Sequence, residues 1–216
     1  NATGNTNSGG GSGESSGVSG TLTGIGASSQ QAAMTAWQNG FQSANSGSTV
    51  QYSPDGSGAG RKAFLAGGAN FAGSDAYLSD DEVEQAKQQC GPDGAMDLPV
   101  YISPISVAFN LPGVESLNLD APTIAKIFKG EIKKWNDPAI AESNEGVELP
   151  DTNINVVYRS DESGTSDNFQ KFLKASAGDV WEDEGKAFPS GVGAGANGST
   201  GVADQVAATQ GAITYV

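Results

Sequence analysis

Short apolar segments alternate along the chain with longer segments in which apolar residues recur every three or four positions, and this pattern predicts an α/β fold. The segments typical of strands lie around Leu22 and Ile25 and at residues 49–53, 71–75, 155–158 and 212–216. The predicted helices have apolar inner faces formed by Ala33, Met34, Trp37 and Phe41; by Ala63, Phe64 and Leu65; by Ile124, Ile127 and Phe128; and by Phe169, Phe172 and Leu173.

Polar residues, glycine and proline predict where these elements begin and end. Ser79 and Asp120 are expected to cap two of the helices, and a last helix is expected at residues 202–208. Residues 54–60, PDGSGAG, are predicted to form a turn. The long apolar segment at residues 98–110 is predicted to be extended, and its Pro104 favours an edge strand or a crossing between two parts of the molecule.

Three consecutive predicted strands end in small loops that carry polar side chains. Ser28, Ser57 and Asp75 follow the first, second and third strand, respectively. Open α/β sheets bind ligands at the carboxyl ends of their strands, so these three side chains are expected to converge.

A fourth loop has the features of an anion-binding site. The strand at residues 155–158 is followed by Arg159, then Asp161, and then Ser163, Gly164 and Thr165 at the start of a helix. The first N–H groups of a helix lack partners within the helix and favour an anion, and a guanidinium matches the geometry of phosphate or carboxylate. Asp161 is expected to hold the guanidinium. An ordinary capped helix beside a surface Arg–Asp pair explains this loop equally well.

Composition limits the classes of function that remain. The formal net charge of −14 argues against nucleic acid as a partner. The chain has no histidine and a single cysteine, so a serine-hydrolase triad and a cysteine-rich metal site are disfavoured, and no metal or cofactor is expected. No apolar run approaches the ~20 residues of a membrane-spanning helix. Residues 1–20 are almost entirely Gly, Ser, Asn and Thr and predict a flexible tether, as in a secreted or lipid-anchored protein.

Taken together, the four polar loops resemble a known family. The sequence is similar, from about Thr21 to Val216, to the phosphate-binding protein of the bacterial high-affinity phosphate ABC transporter, a two-lobed extracytoplasmic receptor. The resemblance includes the segments IFKGEIKKWNDPAIA and GAITYV. It implies a periplasmic-binding-protein-like fold of type II, with residues 21–98 in lobe 1, residues 99–216 in lobe 2 and the ligand in the cleft between them.

The resemblance also implies roles for individual residues. Ser28 would contact phosphate through its hydroxyl, whereas the residue corresponding to Ser29 uses its backbone N–H and is usually aromatic. Asp161 would orient the arginine. The remaining implied ligands are Ser57, Asp75, Arg159, Ser163, Gly164 and Thr165.

The implied function is extracytoplasmic binding of inorganic phosphate for delivery to membrane permease subunits, without catalysis, in the periplasm or on a lipid anchor outside the cell membrane. Two alternatives are a receptor for sulfate or molybdate, which Asp75 would disfavour because those anions carry no proton, and a phosphatase-like hydrolase on the same scaffold.

Family members complete lobe 1 with a further C-terminal segment, so lobe 1 is expected to be incomplete. Its faces at Met34, Trp37, Phe41, Phe64 and Leu65 are then expected to be partly uncovered, and Cys90 would have its partner elsewhere.

Overall fold

The computed structural model describes residues 18–216. Most of the predicted tether therefore lies outside the described residues. Within the described part, no helix is long and apolar enough to cross a membrane.

The N-terminal half, residues 20–90, is built on a parallel three-stranded sheet. Its strand order is β2-β1-β3, and each strand is followed by a helical segment. The elements are β1 (Gly20–Gly26), a 3-10 turn (Ser28–Gln30), α1 (Gln31–Ala44), β2 (Ser48–Ser53), α2 (Ser57–Leu65), β3 (Phe71–Gly73) and α3 (Asp80–Cys90). Ser79 caps α3 with a capping box that includes Glu82, as predicted for this residue.

The C-terminal half, residues 107–215, is built on a mixed four-stranded sheet with the order β4-β7-β5-β6. β5 runs parallel to β6 and β7, whereas β4 is antiparallel to β7. The elements are β4 (Val107–Phe109), α4 (Ala121–Phe128), α5 (Pro138–Ala141), β5 (Asn155–Arg159), α6 (Gly164–Ser176), β6 (Ala194–Ala196), α7 (Gly198–Ala208) and β7 (Ala212–Tyr215).

The main hydrophobic core lies in the C-terminal half. An aromatic cluster of Phe128, Phe169, Phe188 and Tyr215 has ring centroids 4.5–6.4 Å apart, and Trp135 and Trp181 are buried in the same core. Aromatic side chains bury large apolar areas, so this cluster fixes β7 against α4 and α6. The α/β fold predicted from the sequence is confirmed, and it is built on two sheets.

The predicted turn at residues 54–60 is wrong in its second part, because α2 begins at Ser57 and includes four residues assigned to the turn. Gly56 precedes the helix with φ of 96°, a left-handed conformation that favours glycine. A Cβ at Gly60 would lie 2.3 Å from the carbonyl oxygen of Ile25. Close packing of α2 on β1 therefore requires glycine within the helix, against its weak intrinsic helix propensity.

The prediction of a long extended strand at residues 98–110 is largely wrong. Only Val107–Phe109 pair with another strand, and residues 95–106 have no regular secondary structure. Pro104 lies in this irregular segment, before β4. The strand that follows it, β4, is at the edge of its sheet, in agreement with the edge position that Pro104 favours. Met96, Leu98 and Ile102 are exposed.

The predicted inner faces of the helices are only partly buried. Met34 and Leu65 are buried, whereas Trp37 and Phe41 remain 42% and 38% exposed, so the expectation of a partly uncovered face holds for the two aromatic residues. Phe172 was predicted to be internal and is 48% exposed, because β7 and α4 contact the side of α6 that carries Phe169. Cys90 is an exposed free thiol at the end of α3.

Candidate anion-binding site

The three polar loops of the N-terminal half meet at one edge of the parallel sheet. Ser28, Ser57 and Asp75 follow the carboxyl ends of β1, β2 and β3, respectively. The backbone N–H of Asp75 donates to Ser57 Oγ at 3.2 Å, and the hydroxyl of Ser29 donates to Asp75 Oδ1 at 2.5 Å. Parallel strands bring their carboxyl ends to the same edge, which is why residues 46 positions apart in sequence are in contact.

Ser29 thus contributes more than the backbone group that the resemblance implied. Its side chain is hydrogen-bonded to the Asp75 carboxylate, and its carbonyl accepts a hydrogen bond of 3.2 Å from the hydroxyl of Tyr101. An aromatic side chain in place of Ser29 would not supply this hydroxyl donor to Asp75.

The loop of the C-terminal half supplies a helix N-terminus. Ser163 is the N-cap of α6, and its Oγ accepts hydrogen bonds from the N–H groups of Thr165 and Ser166 at 3.0 and 3.4 Å. The structure therefore shows that Ser163 caps the helix, a role that the sequence had left open. Both Ser163 and Thr165 are buried.

The two halves come together at Gly164 and Asp75. A Cβ at Gly164 would lie 2.7 Å from Asp75 Cβ and 2.9 Å from Ser57 Oγ, so only glycine permits this approach. The hydroxyl of Thr165 donates to Asp75 Oδ2 at 3.1 Å, and the side-chain amide of Asn168 donates to the Asp75 carbonyl at 2.7 Å. The start of α6 therefore lies directly against the site residues of the N-terminal half.

Arg159 is a buried cation held in one orientation. It is 3% exposed, and its Nε and Nη2 donate to Asp161 Oδ1 and Oδ2 at 2.7 and 2.5 Å. Burial raises the pKa of Asp161, but hydrogen bonds from the guanidinium and from the Gly198 N–H outweigh that effect and leave the pKa below its ordinary value. Asp161 therefore remains ionised and orients the arginine, as predicted.

Tyr215 forms a hydrogen bond with the backbone of Arg159. Its hydroxyl accepts the backbone N–H of Arg159 at 3.2 Å and lies 2.6 Å from Ser166 Oγ. Burial is the main cause that raises the pKa of this hydroxyl to about 12. The tyrosine stays neutral and joins the end of β5 to the first turn of α6.

Sequence reasoning missed Ser199, which lies in the first turn of α7. Its Oγ is 3.2 Å from Ser28 Oγ and 3.4 Å from Arg159 Nη1. No local pattern indicated Ser199, because its partner Ser28 lies 171 positions away in the sequence. With Ser29, Asp75, Thr165 and Asn168, Ser199 lines a cavity of about 850 Å³ that extends under residues 95–105.

Ion pairs form a second connection between the halves. Lys62 Nζ lies 2.9 Å from Glu162 Oε1, and Lys186 Nζ lies 3.2 Å from Glu82 Oε1. Glu82 also pairs with the buried guanidinium of Arg61. Burial raises the pKa of Glu82, but hydrogen bonds from Arg61 and Ser79 more than compensate and lower it to about 2.

Comparison with known proteins identifies relatives of one kind. The chain is 47% identical over 196 residues to the phosphate-binding protein PstS3 of Mycobacterium bovis, which covers 90% of this chain and 53% of that protein. It is 44% identical over 193 residues to PstS2 of the same species, covering 88% of this chain and 52% of the relative. The chain thus spans about half the length of the curated relatives it matches.

Solved structures show the same similarity. A high-affinity periplasmic phosphate-binding protein, PfluDING, solved with bound phosphate, matches with a TM-score of 0.69 and 30% identity, over 91% of this chain and 56% of the other. A phosphate-binding protein from Stenotrophomonas maltophilia matches with a TM-score of 0.70 and 25% identity, over 91% and 60%. These findings confirm the resemblance drawn from the four loops.

A family model described as the PBP superfamily domain matches residues 11–216, which is nearly the whole chain. The two sheets and the polar loops between them are consistent with this match. The chain therefore belongs to the family that is described as the PBP superfamily domain.

Proposed function

We propose that this chain binds inorganic phosphate between its two halves, at the residues implied by the resemblance. The observation that carries the proposal is the contact of the N-terminus of α6 with Ser57 and Asp75 at one interface. Arg159 is linked to the same half through Ser199, which contacts Ser28. The relatives are named phosphate-binding proteins, and one of the similar structures contains phosphate.

The chemistry of the site suits a tetrahedral anion that carries one proton. The guanidinium, the hydroxyl groups and the N–H groups of α6 donate hydrogen bonds, and the partial positive charge of the helix N-terminus adds to them. The Asp75 carboxylate accepts hydrogen bonds but does not donate them, so it pairs with a ligand that brings its own hydroxyl. Hydrogen phosphate meets this requirement, whereas sulfate and molybdate do not at neutral pH.

Closure of the two halves provides the remaining affinity. In this proposal residues 21–98 and 99–216 act as the two lobes, and the ligand replaces part of the direct contact between Asp75 and Thr165. Hydrogen bonds strengthen when water is excluded, because the effective dielectric constant of the cleft falls.

We extend the proposal to the cellular role. The protein would act outside the cytoplasm, periplasmic or lipid-anchored, and deliver phosphate to the permease subunits of an ABC transporter. Binding and release of phosphate require no bond making, so we propose that the protein is not an enzyme. Its lack of histidine removes the commonest general base.

A thermal-shift screen tests the proposal. Phosphate at a concentration a hundred times its dissociation constant should stabilise the folded state by about 2.7 kcal/mol and raise the melting temperature. Sulfate, molybdate and a nucleotide at the same concentration should have little effect. An equal or larger shift with sulfate or molybdate would favour another oxyanion, and a lack of response to phosphate would refute the proposal.

A further inference from the structure

Ser199 connects the cation of the candidate site to a hydroxyl in the opposite half. Arg159 Nη1 donates to Ser199 Oγ at 3.4 Å, and Ser199 Oγ lies 3.2 Å from Ser28 Oγ. The backbone N–H of Ser199 also donates to Ser28 Oγ, at 3.0 Å. These contacts join β5 and α7 to the loop after β1, across 171 positions of sequence.

The charge of Arg159 fixes the direction of its hydrogen bond to Ser199, and either hydroxyl can donate in the contact between Ser199 and Ser28. A hydroxyl has one proton and two lone pairs. Ser199 Oγ turns a lone pair toward the guanidinium, and in the arrangement that we infer its proton points toward Ser28. Ser28 Oγ then receives both the N–H and the O–H of Ser199, which occupies its two lone pairs. The proton of Ser28 is left to donate to an acceptor in the cleft.

The side chain of Ser199 is not needed to cap its own helix. Asn197 is the N-cap of α7, and α7 has no side-chain capping hydrogen bond at its N-terminus. The first two N–H groups of α7, those of Gly198 and Ser199, donate to Asp161 Oδ1 and Ser28 Oγ at 3.0 Å each. The start of α7 is therefore directed at the two residues that orient the site.

We propose that Ser199 is a positioning residue for phosphate, which makes Ser28 an obligate hydrogen-bond donor and couples it to Arg159. This inference rests on the proposed function. The series Arg159 N–H, Ser199 O–H, Ser28 O–H and ligand oxygen runs in one direction, and hydrogen bonds in such a series polarise one another. The arrangement favours an unprotonated ligand oxygen opposite Ser28, while Asp75 takes the protonated one.

The test is a double-mutant cycle on the full chain, with calorimetric titration of inorganic phosphate. Ser199→Ala should weaken binding about five- to tenfold, the usual effect of one lost hydrogen bond. Ser199→Thr retains the hydroxyl and should bind within about twofold of the wild type. Thr200→Ala, which changes the exposed neighbour in the same helical turn, should bind like the wild type.

Non-additivity separates positioning from a general structural role. Because Ser199 acts through Ser28, Ser28→Ala with Ser199→Ala should bind within about twofold of Ser28→Ala alone. Effects that multiply, an unchanged affinity in Ser199→Ala, or no rescue in Ser199→Thr would overturn the inference while the proposed function stands. Wild-type protein that binds no phosphate would refute both.

Discussion

Replacing Arg159 by alanine removes a buried cation that contacts two different partners. The guanidinium is 3% exposed, makes two hydrogen bonds to Asp161 and one to Ser199, and in our account donates to phosphate. The variant would retain the partly buried carboxylate of Asp161 beside an anionic ligand and remove the positive charge between them.

The size of the loss follows from the burial of this group. Breaking a buried charge pair by removing one partner costs about 3–5 kcal/mol. A loss of at least ~3 kcal/mol corresponds to more than about a hundredfold weaker binding. Ser57→Ala removes one hydrogen bond to a charged group, which is worth about 1.5–3 kcal/mol. Arg159→Ala should therefore weaken phosphate binding more than Ser57→Ala does.

Calorimetric titration of phosphate into the folded variants measures this order, and a melting curve of each variant confirms that it is folded. Lys174→Ala is the matched control, because it removes one positive charge from the exposed side of α6, where Lys174 pairs with the exposed Glu184. It should change the affinity by less than about twofold, since exposed charges are screened by solvent. A larger loss in Ser57→Ala than in Arg159→Ala would refute the assignment of Arg159 as the cation that binds phosphate.

Three further predictions concern specificity, pH and packing. Asp75→Asn should reduce the ratio of phosphate affinity to sulfate affinity by at least about tenfold, because the amide can donate to either anion. Competition titrations measure this ratio, and an unchanged ratio would show that other residues determine the specificity. Glu82 has a pKa of about 2 in the folded protein and an ordinary value of 4.5, so its contribution to stability is complete above pH 4.5 and disappears as the pH falls toward 2. Urea unfolding should therefore show a gap between wild type and Glu82→Gln, on the order of 2–3 kcal/mol at pH 7, that closes over this range; a gap independent of pH would contradict the ion pair with Arg61. Leu173→Ala, at a fully buried position, should cost about 2–5 kcal/mol in the free energy of unfolding. Phe172→Ala on the exposed side of the same helix should cost less than about 1 kcal/mol, and equal losses would show that the core does not depend on this face.

The residues of the candidate anion site could be proposed from the sequence because their chemistry is local in sequence. Arg159, Asp161 and the Ser163–Thr165 turn lie within seven residues, and the strand and helix on either side have clear apolar patterns. Ser57 and Asp75 each follow a recognisable strand. Parallel strands bring such loops to one edge by geometry alone, so no knowledge of tertiary packing was required.

Features that depend on contacts distant in sequence were not predictable. The start of α2 was placed too late because its glycines are required by the approach of β1, which no local pattern reveals. Ser199 was missed since its role depends on Ser28, 171 residues away. The pair of Lys186 with Glu82 joins residues 104 positions apart. Apolar composition at residues 98–110 suggested a strand, but most of these residues have no strand with which to pair.

A crystal structure of the protein grown with phosphate tests the central claim most directly. Our account predicts one phosphate at the interface of the two halves, with its oxygens about 2.7–3.2 Å from the Arg159 guanidinium and from the hydroxyl groups of Ser57 and Thr165. One oxygen should face the Asp75 carboxylate. Phosphate bound only at exposed lysines, or bound within one half without contact to the other, would contradict the account.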